Sequence, residues 1–461
     1  MTKLPFVSTR FFVPSEWVEQ ETLDLLLTVQ PRGREGENPP APIPIYDDES
    51  YEGYIGVPID WGLRVYGDRE LYDDRTVNGT SFNPPLRPDP YHPSVHDPEA
   101  QKTFMEDMLD ATDAHYTVLA QAATGTGKTV VALRTAAELG KSTLVIVPTK
   151  VIARQWVDAA VNLLGMDRKD IGMVSGAKCP YDKPLCVGTV RSVSSKDYPT
   201  EFYHAFGLVI WDEVHRYASP KWSATLYMFP SAHKLALSAT VGKRKDQADA
   251  VYLHQFGDSR VTSASEALPC KVHVMKYTAS GRVYSGDDRH YALKALQNDD
   301  TRNLLLLKLM SSLYSHGRNV LAVGESIDHI EGLVGSLIDM GVPKGDVGQF
   351  TAQHTTEKGT RAPTDTEYLD WCKRVPRIVL GTYGMLKEGA DVPRWDAGVE
   401  LTPRTEATQL LGRVRRPFEN KASALWYSIL DARFGMFHGF LKSRQRDYYA
   451  DPQITVIRHD N

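Results

Sequence analysis

Residues 123–129 read Ala123-Thr124-Gly125-Thr126-Gly127-Lys128-Thr129, set between an apolar strand pattern (Thr117 to Gln121) and a helical one (Thr129 to Leu139). A strand, a glycine-rich turn and a helix in that order form the frame that a phosphate-binding loop requires. Glycines let backbone N–H groups turn inward onto phosphate oxygens, so Thr124, Gly125, Thr126 and Gly127 are candidate ligands for them. Lys128 supplies a point charge at the β and γ oxygens, and the Thr129 hydroxyl is placed to ligate magnesium. Ala122 stands where the eight-residue consensus has its first glycine.

Working outward, the alternation continues with a helix near Pro98 to Ala111 and strands at Thr143 to Val147, Leu208 to Trp211 and Lys234 to Leu237. Such a rhythm implies a parallel sheet with helices on both faces. A second series follows, with strands near Asn319 to Val323, Asp346 to Phe350, Arg377 to Leu380 and Ala424 to Leu430. The fold class is therefore α/β, with two tandem lobes.

Gly281, Gly286, Asp287 and Asp288 interrupt the pattern and mark a linker over 280–288, so the lobes are expected at 96–279 and 280–461. Residues 1–95 differ, with Pro-rich stretches at 39–44 and 84–93. Ser15 to Val29 has helical spacing behind a Ser cap, and Tyr51 to Tyr66 has strand-like composition, which together suggest a small α+β accessory domain with a possible role in DNA binding.

Asp212 and Glu213, in Trp211-Asp212-Glu213-Val214-His215, close the buried-strand pattern Gly207 to Trp211. Ligands in α/β folds sit beyond the carboxyl ends of such strands. Asp212 there can hold a hydrated magnesium ion, and Glu213 can orient and deprotonate an attacking water.

Composition narrows the field less than the motifs do. With 53 Lys and Arg against 58 Asp and Glu, net charge is -5, so any nucleic-acid contact must come from a local basic surface. Cys179, Cys186, Cys270 and Cys372 lack the paired spacing of a zinc knuckle and read as thiols in a reducing compartment. No apolar run approaches the roughly 20 residues of a membrane span, and the first ten residues lack a signal-like core. The expectation is a soluble cytoplasmic protein of phage or bacterial type, monomeric, with no membrane partner.

The ordered motifs resemble superfamily 2 helicases of the DExH kind. They are Pro148-Thr149-Lys150 with Gln155-Trp156, the Asp212 to His215 run, Ser238-Ala239-Thr240, Gly381-Thr382, Glu388-Gly389-Ala390-Asp391, and the Gln409 to Arg416 run. The wording of the last two is similar to the group that contains XPB, RadD and the UvsW-like phage branch-migration helicases. The resemblance spans about 100 to 435 and leaves the first 95 residues unexplained.

The resemblance implies two RecA-like lobes that hydrolyse ATP with Mg2+. It gives catalytic roles to Lys128, Glu213, Gln409, Arg413 and Arg416, with Gly389 and Asp391 contacting nucleotide. Arg413 and Arg416 are three apart, which on a helix is one face. Gln101, 27 residues before Lys128, matches a glutamine that reads adenine, although its Pro-Glu-Ala-Gln context departs from the family's Arg-x-Tyr-Gln. His215, Ser238 and Thr240 would couple hydrolysis to lobe motion. Expected nucleic-acid contacts are Thr149, Lys150, Arg154, Gln155, Thr189, Arg191, Thr382 and Tyr383, which would hold phosphates without reading sequence. The polar stretch Thr351 to Thr366 suggests a hairpin. The implied task is ATP-dependent remodelling of branched or duplex DNA. The rival readings are an RNA helicase and an ATP-gated clamp that grips duplex without unwinding it.

Overall fold

The computed structural model describes residues 3–33, 38–75, 81–84, 98–122, 126–242, 244, 246–263, 267–278, 288–356, 359–389, 392–405, 408–418, 421–449 and 451–459. Two compact units divide the chain, Met1–Ser265 and Glu266–Asn461.

The first unit is built on seven parallel strands in the spatial order Arg260–Thr262, Thr117–Gln121, His233–Ser238, Leu208–Trp211, Thr143–Val147, Leu185–Thr189 and Ile171–Val174. Its central strands are buried throughout, as a sheet covered on both faces demands. Successive residues point to opposite faces and so enter separate cores. Val145, Val147, Ile210 and Leu237 pack with Trp156, Ala160 and Leu164 of the helix Lys150–Leu164. Leu144, Ile146, Val209 and Trp211 join the other core, which also holds Val7, Phe11, Val57 and Trp61 from the amino-terminal region.

That region is a four-stranded sheet in the order Tyr54–Val57, Phe11–Pro14, Phe6–Val7 and Tyr72–Asp73, with a hairpin of Thr28–Val29 and Ile43–Pro44. Two expectations change there. Ser15 opens only a 3-10 turn, Ser15–Trp17, and the helix is Gln20–Leu26 behind Glu19. Tyr51 to Tyr66 is the short strand Tyr54–Val57 followed by the helix Ile59–Tyr66, which starts directly after Pro58, a residue with no N–H to continue the strand pairing.

The module shares a core with the first lobe, and polar ties cross the same seam. Ile59 N–H donates to Gln255 Oε1 at 2.8 Å. Asp60 accepts from the Thr117 hydroxyl and, at 2.8 Å, from Asp258 N–H. Lys234 Nζ, fully buried, donates to Ser8 O at 3.1 Å.

The second unit also has seven parallel strands, ordered Val347–Phe350, Ile378–Thr382, Val320–Gly324, Ala397–Glu400, Ala424–Asp431, Cys270–Tyr277 and Ile454–His459. These two sheets are the two RecA-like lobes. Cys270–Tyr277 pairs with Ala424–Asp431 along its whole length, so it belongs to the second unit, and the division falls at 265/266 instead of 279/280. Residues 280–287 of the expected linker lie outside the described residues. The strand expected near 424–430 is not the last, since the helix Gly435–Tyr449 returns the chain to the edge strand Ile454–His459. Gln353–Thr355 and Arg361–Pro363 form the expected hairpin. All four cysteines are free thiols. No helix among the described residues is long and apolar enough to cross a membrane.

Candidate active site

Three loops at the carboxyl ends of neighbouring strands make the site of the first unit. Thr124 and Gly125 lie outside the described residues, and the description resumes at Thr126. Gly127 caps the helix Lys128–Leu139 with φ 85° and ψ 24°, a left-handed conformation that favours glycine. Lys128 is buried and its Nζ donates to Ala122 O at 2.8 Å, while Ala122 N–H donates to Ser238 O at 3.1 Å. The end of the loop strand is thereby bonded to the Ser238 strand.

Asp212 follows the central strand Leu208–Trp211, is 7% exposed, and accepts from Trp156 Nε1 at 2.8 Å. Burial raises its carboxyl to about 6, with the neighbouring Glu213 charge adding to the rise, while the Trp156 bond and Lys128 pull the other way. Trp156 is a functional side chain that the sequence reading left without a role. A tryptophan on an amphipathic helix reads as core, and only its polar ring N–H hints at a bonded partner.

Glu213 adopts φ 52° and ψ 49°. A non-glycine residue there is uncommon, and such strained positions concentrate at functional sites. The kink starts the 3-10 turn Val214–Tyr217 and brings Glu213 Oε2 to 3.3 Å from His215 Nδ1. His215 Nδ1 also lies 2.9 Å from Ser238 Oγ. Ser238 Oγ donates its one proton to Thr240 O at 3.0 Å and accepts from Thr240 N–H at 3.1 Å, so the histidine bond requires the proton on Nδ1. Arg244 Nη1 donates to His215 O at 2.5 Å and fixes this loop. The structure therefore joins Glu213, His215, Ser238 and Thr240 in one network.

Gln101 is 3% exposed, and its Nε2 donates to Thr126 O at 3.2 Å. Its Oε1 is buried and accepts no hydrogen bond among the described residues, which leaves an acceptor beside the phosphate loop.

The remaining residues separate by exposure. Thr149 and Thr189 are helix caps whose hydroxyls accept from Ile152 N–H and Ser192 N–H. Lys150, Arg154 and Arg191 are exposed, and Gln155 and Thr382 are half-buried. Tyr383 is a correction: it is 3% exposed, its hydroxyl donates to Thr402 O at 2.7 Å, and Arg404 stacks on its ring, so it belongs to the core.

In the second unit the helix Thr408–Val414 ends before Arg416, so helical spacing does not set the Arg413 and Arg416 pair. A turn from Arg416 N–H to Arg413 O at 3.4 Å does. Burial lowers the Arg416 guanidinium to about 10. Arg415 is a strut, ion-paired with Asp451 at 2.5 Å and donating to Leu268 O at 2.8 Å. Gly389 ends the helix Tyr383–Gly389. Asp391 and the Gln409 side chain lie outside the described residues.

A family model, the Type III restriction enzyme res subunit, matches residues 94–243, the stretch that carries this site. A protein of Acanthamoeba polyphaga mimivirus, named as an ATP-dependent RNA helicase, is 22% identical over 430 residues, or 90% of this chain and 78% of its own. A protein of Kineococcus radiotolerans, named DNA 3'-5' helicase XPB, is 26% identical over 66% of this chain and 55% of its own. Among solved structures, Mss116p bound to ssRNA and AMP-PNP is similar in fold, with a TM-score of 0.53 at 13% identity, covering 81% of this chain and 78% of that one.

Proposed function

We propose that this chain, which resembles the XPB and UvsW-like group of superfamily 2 helicases, is an ATP-dependent DNA motor that remodels branched molecules. The observation that carries the ATP-hydrolysis part of the reading is the network around Asp212 and Glu213. One carboxylate is buried and positioned by Trp156; its neighbour is strained and tied through His215 and Ser238 to the strand that also holds the Lys128 loop.

Lys128 binds the β and γ phosphates of ATP, together with loop N–H groups of residues 124–127. Glu213 holds the attacking water and takes its proton. Magnesium would be held by Thr129 and Asp212, and when bound it would neutralise charge on the phosphates. The donor set fits that ion. Among the described residues no cluster of three His, Cys, Asp or Glu could hold a metal alone, and magnesium usually takes one or two protein ligands beside phosphates and water. Gln101 Oε1 accepts from the adenine amino group. The resemblance assigns Gln409, Arg413 and Arg416 to the γ-phosphate and gives Gly389 and Asp391 a nucleotide contact. An arginine finger of this kind is worth roughly 10³ to 10⁵ in rate.

Thr149, Lys150, Arg154, Gln155, Thr189, Arg191 and Thr382 bind backbone phosphates, so the motor tolerates any sequence and weakens with salt. It acts as a monomer in the cytoplasm. Branched DNA is favoured by the Glu388 to Asp391 and Gln409 to Arg416 wording. An RNA substrate is the second reading, favoured by the name of the mimivirus relative.

The test is ATP-dependent processing of a four-way DNA junction beside a tailed duplex and a tailed RNA duplex, with Lys128→Ala as control. Junction processing that needs Lys128 is the expected result. Unwinding confined to RNA would overturn the DNA reading, and ATP-gated binding without strand separation would leave a clamp.

A further inference from the structure

A group of cations in the second unit takes no part in the reading above. Lys276 lies near the carboxyl end of its strand and pairs in register with Leu430; Val274 pairs with Arg458 near the end of the neighbouring edge strand. Even-numbered residues of these strands share a face, the one that Val272 and Val274 turn into a common core with Leu441. Across that face runs the helix Gly435–Tyr449, whose His438, Leu441, Lys442 and Gln445 sit at i, i+3, i+4 and i+7 and so form one stripe. Sheet and helix border an open pocket of about 270 Å³ with an apolar floor of Val274, Leu430 and Leu441. Lys276, Lys442, Arg458 and His438 line the rest of it with Gln445.

Among the described residues no carboxylate lines this cavity. In a chain of net charge -5, the three cations gathered there are a local field of opposite sign to the whole. Gln445 sharpens the chemistry: its Oε1 accepts from Arg458 Nη2 at 3.2 Å, which leaves Nε2 as a buried donor with no hydrogen-bond partner. The cavity thus offers ammonium, guanidinium and amide N–H donors, and its one side-chain amide acceptor is already engaged. The complementary ligand is an acceptor-only anion, and a phosphate group has that character.

We propose that this cavity binds a backbone phosphate of the nucleic acid on which the motor acts, as a second anchor on the second unit; the proposal rests on the helicase reading. Thr382, the expected contact in this unit, ends a strand four places away in the sheet order. At about 4.8 Å per strand that is roughly 19 Å, too far for one phosphate to serve both and about the rise of five or six base pairs. The anchor therefore grips a flanking segment of duplex and leaves the stepping contacts to the strand-end loops.

The test uses the full chain with Lys276→Ala, Lys442→Ala and Arg458→Ala combined, and a control carrying Lys276→Arg and Lys442→Arg. Anisotropy is read on a labelled duplex of about 30 base pairs and on a single strand of about 8 nucleotides across a salt series. Losing the phosphate held in this cavity should cut the log–log salt slope for duplex by about 0.9 and the low-salt affinity at least tenfold. The short strand should change less than twofold, ATP turnover at saturating nucleic acid should hold, and the arginine control should bind as the parent does. Equal duplex affinity and slope in parent and triple variant overturns the anchor. So does a variant that loses only competition by inorganic phosphate or pyrophosphate, which would make the cavity a small-anion site. A parent that binds neither nucleic acid removes the helicase reading and the anchor with it, a different result from a parent that binds and a variant that matches it.

Discussion

Two carboxylates occupy matching places in the two sheets and are treated in opposite ways. Asp212 follows the fourth strand of the first sheet and accepts from Trp156 Nε1 at 2.8 Å; Glu400 ends the fourth strand of the second and accepts from Trp426 Nε1 at 2.9 Å. Both are buried. Glu400 is then closed by Arg444, itself 1% exposed, in a buried ion pair that raises the guanidinium further. Asp212 receives no such closure: burial and Glu213 together prevail over Lys128, and its carboxyl rises to about 6. An indole N–H holds each acid in place, but only the second unit neutralises its acid with a bidentate-capable partner. The first keeps a charge that the fold alone does not satisfy, as a site that awaits a cation requires.

The crossed substitutions that break this comparison carry the largest effects. Arg444→Met should strand Glu400 in the core and cost about 3–5 kcal/mol, read as a lower melting temperature, with Glu400→Gln in the same chain restoring part of it. Asp212→Asn should leave the melting temperature near the parent value, because an amide still accepts from Trp156, yet lower ATP turnover by more than about a hundredfold, beyond the usual loss for a supporting residue. Equal thermal losses in the two variants would erase the distinction between a structural and a functional acid.

The indoles sharpen it at smaller scale. Trp156→Phe keeps most of the packing and removes one donor to Asp212. It should raise the magnesium concentration for half-maximal ATPase by about 10- to 100-fold, the range for a residue that orients a metal ligand. Trp426→Phe should leave that concentration unchanged and cost about 1–3 kcal/mol of stability through an undersatisfied Glu400.

The sequence exposes the first kind of acid better than the second. Asp212 and Lys128 belong to short local patterns whose backbone demands, a left-handed Gly127 and a strand end, leave direct marks. Glu400 and Arg444 meet only after Ala397–Glu400 and Gly435–Tyr449 fold together, and no local pattern joins them. The same limit explains Cys270–Tyr277, which the sequence reading did not mark as a strand: its partner Ala424–Asp431 is distant in sequence, and the glycines after it draw the boundary too late. Trp156 was visible as a residue and not as a donor. Tyr383 sits beside Thr382 in the motif, and sequence adjacency says nothing of which of two neighbours points inward.

A third buried carboxylate completes the series with the smallest effect at any one pH. Asp60, on the amino-terminal module, meets only neutral donors, the Thr117 hydroxyl and Asp258 N–H. Burial raises it to about 7 against those bonds. The folded chain therefore holds a proton that the unfolded chain has released above about 4. Asp60 contributes stability that is full below that value and lost as pH rises through about 7, at roughly 1.4 kcal/mol per pH unit within the window. Asp60→Asn should flatten that slope by one proton and change stability at pH 5 by under about 1 kcal/mol, since its amide can donate to Thr117 Oγ1 while its oxygen keeps Asp258 N–H. Urea unfolding between pH 4 and 8 separates the outcomes. An unchanged slope would mean that Asp60 stays ionised in the seam, and the module would then be held to the lobe by the shared core around Phe11 and Trp61 with no help from a proton.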